Sequence, residues 1–163
     1  MEAFEPVRIS ASTLRAELVA ASANPDSPME LVLAAVKRLD LELAWLAAGD
    51  PALKGARALF DSQGGIICCV DDGDTAAQAC FIAHEIGHIR VHAGSAECTN
   101  EDIDASRSTE VAPVGLQRVE DYGVRERREL QANVFAREFL FPRAAARRKH
   151  LAGETASVIA ESL

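Results

Sequence analysis

The distribution of apolar and polar positions divides the chain into helical stretches separated by a short run of strands. Residues 10–23 read as a first helix. Asn24-Pro25-Asp26-Ser27-Pro28 then breaks the pattern, and Ser27 and Pro28 suit the N-cap and first position of a second helix running to about residue 39. Three short runs at 41–46, 56–61 and 66–70 predict strands, with Asp61-Ser62-Gln63-Gly64-Gly65 turning the last two into a hairpin. Through Asp71-Asp72-Gly73-Asp74 the chain enters a helix-compatible stretch, with Asp74 or Thr75 as N-cap and apolar residues at Ala79, Ile82, Ala83 and Ile86.

Residues 125–142 predict a further helix. Leu130, Val134, Phe135, Leu140 and Phe141 give it a broad apolar face, while Glu129, Ala132, Asn133 and Ala136 recur at i, i+3, i+4 and i+7 on a narrower one. Between 93 and 123 the chain is acidic, contains Ser and Thr and keeps no sustained periodicity, which marks a variable insert or lid. Residues 151–163 resemble the start of a small C-terminal helical element, so the chain is expected to be part of a longer multidomain protein. The expected fold class is α+β, a central helix packed with further helices and a small three-stranded sheet.

Composition narrows the class. At 163 residues and 48% hydrophobic content, one compact domain over residues 1–150 with its own core is the natural reading. No stretch predicts a membrane span, and Met1-Glu2-Ala3-Phe4-Glu5-Pro6 lacks the basic and apolar regions of a signal peptide, so a cytoplasmic location is expected. Cys68, Cys69, Cys80 and Cys98 form no CxxC pair and read as small buried apolar residues. The net charge is −8, yet residues 123–150 hold eight Arg or Lys against three Glu, leaving −13 on the remainder. Such an acidic domain is a poor nucleic-acid binder, and no direct nucleic-acid contact is expected. Arg143, Arg147, Arg148 and Lys149 read as a solvated helix face. Asp71, Asp72 and Asp74 lack the distant bidentate Glu of a calcium loop and read as a turn and helix N-terminus.

The chemistry concentrates in His84-Glu85-Ile86-Gly87-His88, an HExxH pattern. Histidines four apart project from one helix face and can share one Zn²⁺, while Glu85, about 100° round the helix, is placed to act as a general base on water at the metal. Gly87 costs roughly 1 kcal/mol relative to Ala inside a helix, a cost explained by a second helix or a substrate backbone approaching closely. Two residues are candidates for a third ligand. His92 stands roughly 12 Å from His84 along a continuous helix, too far to share the ion, and reads as a helix C-terminal residue. Glu129 is the better candidate: small residues at 132 and 136 let its helix lie close to Gly87, and Asn133, one turn later, can accept the ring N–H of a ligand histidine.

Taken together, Phe81-x-Ala83-His84-Glu85-Ile86-Gly87-His88 and Glu129-x-x-Ala132-Asn133-x-Phe135-Ala136-x-x-Phe139-Leu140-x-Pro142 resemble the ImmA/IrrE family of zinc metallopeptidases over roughly residues 30 to 145. The resemblance implies a zincin-like fold with a gluzincin-like site: His84, His88 and Glu129 as zinc ligands and Glu85 as base. It further implies a bacterial regulatory endopeptidase that cuts a helix-turn-helix transcriptional repressor in a stress-response or mobile-element switch. Tyr122, just ahead of the Glu129 helix, is a candidate hydrogen-bond donor to an oxyanion over the zinc. The alternative function is a regulatory module that sequesters a repressor or toxin without cleaving it.

Overall fold

A computed structural model describes residues 4–92, 124–155 and 157–158. Among these, five helices accompany a three-stranded sheet. Helix α1 (Glu5–Ala20) opens with Pro6 in its first turn, where a missing N–H costs nothing, and buries Val7, Ala11, Leu14 and Leu18 at helical spacing. It begins ahead of the expected residue 10 and stops short of 23. The stop is a Schellman closure: Ser22 takes the left-handed conformation (φ 77°) and Ala23 N–H reaches back to Leu18 O at 3.0 Å. Helix α2 (Pro28–Arg38) begins where the Ser27-Pro28 pair predicts, the Ser27 hydroxyl accepting from the Glu30 N–H at 3.4 Å.

Strands β1 (Glu42–Leu46), β2 (Ala58–Asp61) and β3 (Ile66–Val70) form a sheet in the order β1-β3-β2. β2 and β3 make the expected hairpin, with Gly65 at φ 66° and Asp61 Oδ1 accepting from the Gln63 N–H. β1 runs parallel to β3, in register from Glu42 against Ile66 to Leu46 against Val70. β2 starts later than 56 because a 3₁₀ turn at Pro51–Leu53, closed by Lys54 in the left-handed region, occupies the preceding residues.

Helix α3 (Thr75–His92) leaves β3 through a turn in which Asp72 Oδ1 accepts from Asp74 N–H, and Asp74 Oδ1 from Ala77 N–H at 3.0 Å. Asp74 is therefore the N-cap, and the acidic residues serve the turn, Asp72 also pairing with Arg57. From Ile82 to His88 every residue of α3 is buried, because α1, α2, the sheet and α4 (Val124–Leu140) all pack on it. Helix α5 (Arg143–Leu151) follows α4 and has no buried residue, so Arg143, Arg147 and Arg148 lie on an exposed face. No helix among the described residues is long and apolar enough to cross a membrane.

Two expectations need correction. The buried face of α4 is Ala132, Phe135, Ala136, Phe139 and Leu140, with Leu130, Val134 and Phe141 only half-buried. The small-residue face turns inward because it permits the closest approach to α3, and the two phenylalanines fill the space beside it. Cys69 is buried and Cys68 half-buried, but Cys80 is exposed, on the side of α3 away from the core. Cys98 and the expected insert at 93–123 lie outside the described residues, as do 156 and 159–163 of the expected C-terminal element.

At Gly87 the approach is at backbone level: a Cβ there would lie 3.1 Å from both Ala132 Cα and Ala132 O, and 3.2 Å from Phe135 Cβ. Gly87→Ala gains about 1 kcal/mol of helix propensity, but overpacking typically costs about 1–3 kcal/mol, and the contacting atoms belong to a helix backbone that cannot rotate aside. We expect Gly87→Ala to lower the urea midpoint of the metal-free protein, and Gly87→Val to lower it further. A midpoint at or above wild type would show that α4 yields.

Candidate metal centre

Helical spacing stacks His84 and His88 on one face of α3, and their Nε2 atoms come within 3.0 Å of each other. From α4, Glu129 brings Oε2 to 3.2 Å from His84 Nε2 and 3.4 Å from His88 Nε2. All three side chains are buried. A tetrahedral ion with ligand bonds of about 2.0–2.1 Å separates its ligand atoms by about 3.3 Å, and these three separations straddle that value. His84, His88 and Glu129 can thus hold a metal ion between them.

The groups around the ligands favour the same arrangement. Asn133 Oδ1 lies 2.9 Å from His84 Nδ1, and as an obligate acceptor it places the ring proton on Nδ1 and leaves Nε2 a lone pair for the ion. Burial raises the Glu129 carboxyl, but hydrogen bonds and charge from His84 and His88 outweigh this and hold it at about 2. Burial lowers the His84 imidazole, yet the Glu129 hydrogen bond, with the charges of Glu85 and Glu129, leaves it raised. The cluster thus attracts positive charge, a proton or a metal.

Glu85 lies beside the ligands and is fully buried. Its Oε2 accepts from the Phe60 N–H of β2 at 3.1 Å, and its Oε1 has no hydrogen-bond partner among the described residues. Burial raises its carboxyl above the usual range against the attraction of His84 and His88. His92 is not drawn to the ligand point: its Nδ1 lies 3.1 Å from His88 Nδ1 and its Nε2 2.9 Å from Gln131 Oε1. Tyr122 lies outside the described residues. Phe60 and Gln131 were missed by reading the sequence. The first acts through its backbone, which no residue type signals, whereas Gln131 sits within the Glu129-to-Asn133 segment as a polar residue that spacing alone did not single out.

His88→Ala and Glu129→Ala are expected to reduce metal per chain after dialysis, measured by mass spectrometry, while full occupancy in Glu129→Ala would remove it from the ligand set. Metal entry must also displace the proton that Glu129 draws onto His84. Because the His84 pKa is raised, protonation competes over a wider pH range, so affinity should climb with pH until His84 has deprotonated. Calorimetry at pH 6.5 in buffers of different ionisation enthalpy should register proton release on metal binding. No family model, curated protein or solved structure matches the chain, and the chemistry of the site rests on its own residues.

Proposed function

We propose that the chain is a zinc-dependent endopeptidase, with His84, His88 and Glu129 as the metal ligands and Glu85 as the general base. The observation that carries this reading is the pairing of a three-ligand cluster with a buried carboxylate beside it, one of whose oxygens has no partner among the described residues. Two nitrogens and one carboxylate oxygen match the preference of zinc in catalytic sites, which use three protein ligands and keep a fourth position open. Zinc held there supplies Lewis acidity, making water a nucleophile near neutral pH and polarising a carbonyl.

The chain's own residues account for the remaining roles. Phe60 N–H tethers Glu85 Oε2, so Oε1 is the oxygen left to take a proton from the attacking water and deliver it to the leaving amine. The raised pKa suits this, because a more basic carboxylate is a better acceptor near neutral pH. Asn133 keeps His84 in its metal-binding tautomer.

The sheet supports a mode of substrate binding. Val70 N–H bonds to Arg57 O at 2.9 Å, and from that pair the antiparallel alternation turns the backbone polar groups of Ala58 and Phe60 away from β3. Among the described residues β2 is an edge strand, and its outer edge runs past Glu85. An extended peptide adding along that edge brings its backbone beside the ligands. The resemblance carried by the two motifs extends the proposal to a DNA-binding repressor as protein substrate and to a zincin-like fold.

Glu85→Gln keeps the shape and the Phe60 hydrogen bond but removes the base. It is expected to retain zinc at near one per chain while cleavage of a candidate repressor falls by about 10²–10⁴-fold. Undiminished cleavage by a zinc-loaded Glu85→Gln sample refutes the base assignment. A wild-type chain that holds zinc yet co-elutes stoichiometrically with an intact repressor would instead make this a sequestering module.

A further inference from the structure

The outer nitrogen of His88 faces another histidine. His88 Nδ1 lies 3.1 Å from His92 Nδ1, and His92 Nε2 lies 2.9 Å from Gln131 Oε1. An amide oxygen only accepts, so the His92 proton sits on Nε2 and His92 Nδ1 presents a lone pair. The proton shared between the two Nδ1 atoms must then come from His88, so in the neutral, metal-binding form of that ring the lone pair is on Nε2. That atom faces His84 Nε2 and Glu129 Oε2, at 3.0 and 3.4 Å. With neutral rings the two hydrogen bonds aim the donor pair of His88 into the ligand cluster.

We propose that His92, itself held by Gln131, is a positioning residue that sets the tautomer and ring orientation of His88 for metal binding. The proposal rests on the metal-centre reading above. It makes the two ligand histidines equivalent by different means. Asn133 contacts His84 directly from α4, whereas His88 receives its acceptor from the residue one turn further along its own helix, and α4 holds that residue through Gln131. His92 stays outside the ligand set while both of its nitrogens serve it.

His92→Phe retains a ring and removes both nitrogens. Zinc affinity, measured by competition with a chromophoric chelator, is expected to fall about 10–100-fold. His92→Gln, whose amide oxygen can accept from His88 Nδ1–H, should recover a large part of that loss, which a purely space-filling role would not predict. In metal-free wild type in mildly alkaline solution, long-range ¹H–¹⁵N correlation should show His88 protonated at Nδ1, with that preference lost in His92→Phe. If His92→Phe does not fold by circular dichroism, Gln131→Met tests the same chain and should also weaken zinc binding. Wild-type zinc affinity together with an unchanged His88 tautomer in a folded variant overturns the proposal. Failure of wild type to bind zinc would sink the metal centre instead, and the His88 tautomer in the metal-free protein would still decide the relay.

Discussion

The close approach of α3 and α4 at Gly87 and Ala132 is the constraint on which the rest of the site depends. Two helices carrying ordinary side chains at their crossing stay about 8–10 Å apart, and a carboxylate on one then has to reach across that gap to imidazoles on the other. Here the crossing has no side chain on one helix and a methyl group on the other, with contacts that a single added Cβ would bring to 3.1 Å. Glu129 stands one turn before Ala132, so the contact that brings the backbones together also sets its carboxylate against His84 and His88.

Such a cluster is costly to bury. Two imidazoles and two carboxylates lose their hydration, and an unpaired buried polar group costs about 1–3 kcal/mol, more when charged. The fold offsets this in two ways. Apolar side chains of the same two helices are fully buried in the core, Phe135 and Phe139 from α4 and Ile82 and Ile86 from α3, each worth roughly 1.5–3 kcal/mol of burial. The polar atoms are also tied into a network in which Asn133, Phe60 N–H and the His92–Gln131 pair satisfy the outward-facing groups. Among the described residues, the buried side-chain oxygen or nitrogen left without a hydrogen-bond partner is one oxygen of Glu85, beside the converging ligand atoms. Buried polarity gathered at one point in this way could hold a metal ion.

The supports of the site come from separate parts of the chain. α1 braces the far end of α4, with the Arg15 guanidinium donating to the carbonyls of Phe139 and Leu140 at 2.7 and 2.9 Å, groups left without partners inside their own helix. The sheet contributes an edge strand whose backbone touches Glu85. Helix α3 is enclosed by all of them, which explains why the residues around its histidines show no polar face despite the chemistry they carry.

Local chemistry in the sequence was enough to place most elements. The Ser27-Pro28 start of α2, the hairpin at 61–66, the Asp74 cap and the HExxH helix depend on neighbouring residues and on the fixed periods of helix and strand. The spacing of His84 and His88 is of the same kind, because four residues along a helix set their geometry wherever that helix lies. Contacts between distant segments were beyond that reading. The inward face of α4 was misjudged because hydrophobic pattern ranks residues by size and polarity, whereas close helix packing selects small ones. Glu129 could be nominated from its motif, but only the packing at Gly87 sets its distance to the histidines. The Phe60 tether to Glu85 and the Gln131 hold on His92 join residues 25 and 39 positions apart through a backbone amide and a side-chain amide. No periodicity encodes such links. The sequence by itself determined which residues could do the chemistry, since residue type and helical spacing are local properties. The tertiary structure alone decided how they are oriented, because orientation comes from hydrogen bonds and packing made across the fold.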